Sequence, residues 1–150
     1  MPEAASNLVR PSVQMAFACE NVSSEGGGPV SFQNVMDGIG AVDFPAPSGR
    51  WCAIFCFFSD VAGTAGNCRV MIEADGGDVI AQTAVKDIVF TRDNPVSRNV
   101  VRFQGLAWPY PGRYLVKFIA RKDEVMAWFP MWVQHAPDTP AQSPETLEMK

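Results

Sequence analysis

The chain holds a single histidine, His135, in 150 residues. A catalytic triad or an imidazole-based metal centre needs a histidine held by a third group. His135 precedes a proline-rich end segment, where a surface role is the simplest reading. Basic residues are sparse as well: twelve Lys and Arg stand against sixteen Asp and Glu, for a formal net charge of −4. They form no run that could follow a phosphate backbone, which argues against a nucleic-acid partner. No apolar stretch approaches the roughly 20 residues of a membrane-spanning helix. The opening "MPEAASNLVRPSV" has neither the basic nor the apolar region of a signal peptide. A cytoplasmic protein without a membrane partner is therefore expected. A long helical period is missing too, and "EGGGPV" (25–30) lacks the lysine and strand-to-helix setting of a phosphate-cradling loop.

Four cysteines, Cys19, Cys52, Cys56 and Cys68, lie within apolar segments. On a strand Cys52 and Cys56 would share a face about 13 Å apart, beyond disulfide reach. Zinc ligation favours closely spaced ligands in tight turns, and one histidine adds little. All four are read as reduced core residues, with no metal and no cofactor. A nucleophilic Cys52 or Cys56 would need an electropositive, partly open setting, the opposite of what Ile54, Phe55 and Phe57 offer. No catalytic residue is assigned, and the chain is not expected to be an enzyme. The carboxylates Asp60, Asp75, Asp78, Asp93, Asp123 and Glu124 could converge on calcium in sandwich loops, but Asp is common in turns without any ion.

What the sequence does contain is a succession of short apolar runs closed by Gly, Pro, Asn or Asp. Strands are predicted over residues 13–19, 30–35, 38–44, 51–58, 68–73, 79–85, 98–107, 113–120 and 125–134. The fold class is all-β, a two-layer antiparallel β-sandwich, immunoglobulin-like or jelly-roll-like, of about eight or nine strands. "ADGGDV" (74–79) is the best hairpin signal. "SSEGGGPV" (23–30) reads as a flexible hairpin loop, and "VKDIVF" (85–90) fits either a strand or a helical turn. Residues 1–11 read as a flexible arm, 12–135 as the sandwich domain and 136–150 as a proline-rich disordered tail.

Two runs are apolar on both faces. In "WCAIFCFF" (51–58) the odd and even positions alike want cover, and "VMAWFPMWV" (125–133) behaves similarly. A two-layer sandwich has one interior, so the second face of such a strand needs extra chain or another molecule. For the first run, the segment after Val85 or another subunit could provide it. In the second run Pro130 favours an edge or a bulge, and Trp128, Trp132 and Met126, together with Trp51 of the first run, become candidate contacts for a protein partner or a second copy. "LAWPYPGRY" (106–114) offers another possibility, in which Trp108 and Tyr110 stack on a sugar or other small ligand; a turn packed on its own core is the plainer alternative.

The order "FACENV", "GGPVSFQNVMDGIGAVDFPAP" and "WCAIFCFF" resembles a family of short bacterial β-sandwich proteins, the domain of unknown function DUF6941. The resemblance spans residues 13–133 and implies a sandwich body without supplying catalytic residues. "WPYPGRYLVKFIARKDEVMAWFPMWV" is similar to the closing hairpin of immunoglobulin-like sandwiches, with Tyr114 where a corner-forming tyrosine stands.

Overall fold

The computed structural model describes residues 7–24 and 29–135. They form thirteen strands and no helix. Nine longer strands are β1 (Ser12–Ser24), β2 (Val30–Met36), β3 (Gly38–Ala41), β5 (Trp51–Phe58), β7 (Arg69–Ala74), β8 (Val79–Ala84), β10 (Val96–Phe103), β12 (Gly112–Ala120) and β13 (Glu124–His135). Four two-residue strands lie between them: β4 (Ala46–Pro47), β6 (Gly63–Thr64), β9 (Val89–Phe90) and β11 (Ala107–Trp108).

Sheet I has the order β10-β5-β1-β2, and sheet II the order β3-β13-β12-β7-β8. Two small ribbons, β11-β4 and β6-β9, complete the pairings. The architecture is all-β, as expected, but the strand count exceeds the eight or nine read from the sequence. A two-residue strand has too few positions to show alternation, so β4, β6, β9 and β11 left no pattern to read. The pairing is also not wholly antiparallel, because β3 runs parallel to β13.

Alternation along β5 explains the core. Trp51, Ala53, Phe55 and Phe57 join a main cluster that also takes Val70 and Ile72 from β7, Tyr114, Val116 and Phe118 from β12, and Phe129 and Met131 from β13. One face of sheet I thus packs on one face of sheet II. Phe55 lies 5.3 Å from Phe118 and 5.5 Å from Phe129, and Phe57 lies 4.9 Å from Phe118, measured between ring centroids. Burying each such ring contributes about 1.5–3 kcal/mol.

The even positions of β5 have a different cover from the two expected. Cys52, Ile54 and Cys56 form a second buried cluster with Cys19, and Phe17, Val22, Phe32 and Val100 pack against it. The register pairs Ala18 with Met36, so Phe32 stands about 13 Å further along an extended β2. Yet its ring centroid is 5.0 Å from that of Phe17, edge to face. The β1–β2 hairpin therefore bends back over the outer face of its own sheet, with Asn34 at φ +58° within the bent strand. The segment after Val85 turns elsewhere: Val85, Ile88 and Phe90 pack in the main core.

Smaller features hold the periphery. The hairpin at 74–79 closes as predicted, with Gly77 at φ +95° and its N–H donating to the Ala74 carbonyl at 2.9 Å. Asp87 pins the β6–β9 ribbon by accepting from Thr64 Oγ1 at 2.7 Å and from the Gly66 N–H at 3.1 Å. The arm expected over residues 1–11 is docked in its described part: Val9 is buried, its N–H donates to the Thr64 carbonyl, and its own carbonyl accepts from Arg121. The expected tail, 136–150, and residues 1–6 lie outside the described residues.

Candidate functional site

Strand β13 carries the most exposed aromatic surface. Ala127, Phe129, Met131 and Val133 point into the core. Trp128 and Trp132 therefore face outward, 53% and 48% exposed. Four residues apart on one face, they stand about 13 Å from each other. Opposite them across the β12 ladder are Lys117 and Arg113, with Leu115 facing Pro130 between.

Both cations are already paired within the chain. Lys117 Nζ meets Glu73 at 3.0 Å, and Arg113 meets Asp75 at 3.0 Å. The face thus presents indoles and aliphatic surface with its own charges neutralised. Pro130 is accommodated because β3 pairs only with residues 132–135 of β13. Over Pro130 the side of β13 away from β12 carries no partner strand among the described residues, so the missing N–H breaks no ladder bond.

The other candidates fall in different places. Met126 is half-buried against the main core, beside the register shift opposite Phe118 and Ile119. Trp51 is 1% exposed and stacks on Phe103 at 4.7 Å, so it cannot meet a partner from its place in the core. Which of two apolar faces of β5 turned inward was not decided by residue type, and the inner one took the tryptophan. Trp108 is also 1% exposed, against Tyr114 at 4.8 Å and Trp51 at 5.9 Å. The Trp108–Tyr110 pair expected to stack on a ligand is therefore not an exposed pair. Tyr110 alone remains half-exposed. The plainer alternative, a turn packed on its own core, describes this segment.

Groups with reactive side chains are placed as structural parts. Burial pushes the Cys68 thiol from its ordinary 9.0 up to about 11, with the nearby Asp87 carboxylate adding to the rise. Burial also raises Cys19 and Cys56, partly offset by the charges of Arg102 and Arg98 respectively. All four cysteines are free and buried. Cys19 and Cys52 stand directly opposite in register, a pairing that sequence spacing could not reveal. Among the carboxylates weighed for calcium, Asp75, Asp123 and Glu124 are engaged by Arg113, Arg69 and Arg121. No group of three His, Cys, Asp or Glu side chains suited to a metal ion occurs among the described residues. His135 ends β13 on the surface, its ring 6.4 Å from Phe44. Among the described residues no helix is long and apolar enough to cross a membrane.

A second surface was not foreseen. The bent β1–β2 hairpin and β10 enclose an open groove of about 660 Å³ on the outer face of sheet I. Its signal in the sequence was the unexplained second face of "WCAIFCFF", and Arg98 and Arg102 on β10 flank it.

No protein-family model and no curated protein matches the chain. Among solved structures it is similar to a beta-glucosidase from Listeria innocua in complex with glucose, with a TM-score of 0.41 and 11% identity. The match covers 79% of this chain and 16% of that one. So partial an overlap assigns neither a fold family nor an activity.

Proposed function

We propose that the protein is a non-enzymatic β-sandwich module that works by contact, associating with a second copy of itself through the outer face of sheet II. The observation that carries this reading is the pair Trp128 and Trp132, half-exposed on one face whose flanking charges are paired internally. An apolar, charge-neutral patch is poorly matched to water and well matched to another such patch. A two-fold contact would set each tryptophan against the partner's same strand.

The sandwich reading rests on the packing of sheets I and II around one core. Its immunoglobulin-like character is supported by the Tyr114 hydroxyl, which donates to the Tyr110 carbonyl and accepts from the Tyr110 N–H at 3.3 Å. That is the hydrogen bonding of a tyrosine corner.

Acrylamide quenching of tryptophan fluorescence tests the contact. Trp51 and Trp108 are shielded at every concentration, so the quenchable signal comes from Trp128 and Trp132. Self-association through this face predicts that quenching decreases as protein concentration rises. Quenching independent of concentration would count against it.

A further inference from the structure

Sheet I carries a cluster whose burial needs explaining. Ile54 and Cys56 are fully buried on a face turned away from the main core. They form the floor of the groove, and Val22, Val30 and Phe32 of the overhanging hairpin form one side of it. The other side is β10, where Arg98, Val100 and Arg102 pair in register with Cys56, Ile54 and Cys52.

The charge of this groove opposes that of the chain. The protein is acidic overall, at −4, but among the described residues no acidic side chain lines the groove and two arginines do. Neither Arg98 nor Arg102 makes an ion pair among the described residues, a state they share with Arg50, Lys86, Arg92 and Lys122, whereas Arg10, Arg69, Arg113, Lys117 and Arg121 are paired. Arg102 also borders a smaller hollow that holds Glu20, whose carboxylate accepts from Asn34 instead. Two guanidiniums without a charge partner among the described residues, beside half-buried apolar side chains, offer forked hydrogen bonding to an oxyanion and contact area to a hydrocarbon body. The volume, about 660 Å³, is the size of a small-molecule site.

The geometry points to a binding site for an anionic amphiphile, its apolar body lying against the half-buried side chains of Val22, Val30, Phe32 and Val100 and its carboxylate or sulfonate held by Arg98 or Arg102. This site is separate from the tryptophan face of sheet II. It does not depend on self-association.

The test is titration calorimetry below the micellar range with dodecanoate, dodecanol and dodecyltrimethylammonium. It uses the full chain, Arg98→Gln/Arg102→Gln, Arg98→Lys/Arg102→Lys and Trp128→Glu/Trp132→Glu. Dodecanoate should bind saturably, and the two uncharged or cationic analogues at least about tenfold more weakly, the worth of one charge-assisted contact. The glutamine variant should lose about tenfold in dodecanoate affinity, the lysine variant less, and the tryptophan variant none. Because both arginines are exposed, circular dichroism should show every arginine variant folded. If either is not, cross-peak shifts of Val22, Phe32 and Val100 in the unaltered protein on adding dodecanoate decide instead. Absence of dodecanoate binding, equal binding of the cationic analogue, full affinity in the glutamine variant, or shifts confined to other residues would overturn the proposal.

Discussion

At the scale of single residues, burial decides between chemical roles that the residue types leave open. Tyr114 is fully buried, and among the described residues its hydroxyl is satisfied by the Tyr110 backbone alone. Tyr114→Phe should therefore cost about 1–2 kcal/mol of stability, since it removes the part-buried hydrogen bonds to the Tyr110 backbone. Denaturant midpoints with an unchanged slope would show it. The thiols give a pH signature. Cys68 titrates near its ordinary 9.0 when unfolded and at about 11 when folded. Between those values the unfolded chain has released a proton that the fold retains, so stability is full below pH 9 and declines as pH rises towards 11. Cys19, Cys56 and Tyr114 are shifted in the same direction by burial. The melting temperature should fall across that window, and thiol reagents at pH 8 should label the protein only after denaturation.

At the scale of elements, the junction of β3 with β13 leaves no room for a side chain at Gly38. A Cβ added at Gly38 would collide with the Trp132 carbonyl oxygen, while one added at Gly76 meets nothing. Gly38→Ala should destabilise by about 1–3 kcal/mol, as overpacking does, and Gly76→Ala by far less; comparing the two melting curves checks this. Element boundaries were legible where a run was long and bounded by turn residues. β5 spans the predicted residues 51–58, and β12 and β13 differ from their predicted bounds by a residue or so. β1 was read too short, because its last residues are polar and gain their strand from pairing with β2. The bend of that hairpin was not legible at all. It depends on Phe32 meeting Phe17, a contact between residues far apart along the ladder, which no local pattern records. The same limit hid the groove and its arginines.

At the scale of the whole molecule, sheets I and II share one core, and the surplus of apolar strand surface is divided between two outer faces. One surplus, on sheet I, is covered by the chain's own hairpin. The other, on sheet II, leaves Trp128 and Trp132 half in water. Alternation along β13 placed these two indoles on one face in the sequence, whereas Trp51 and Trp108 could be told apart from them only by packing. The central claim is that the uncovered face associates with a second copy. Light scattering over a range of concentrations measures this most directly, on the unaltered chain and on Trp128→Glu/Trp132→Glu. Both tryptophans are exposed, so the variant should fold with an unchanged circular dichroism spectrum. The account predicts a dimer that becomes more populated with concentration and a variant that stays monomeric throughout; an unaltered chain that remains monomeric at every concentration, or a variant that dimerises as well, would contradict it.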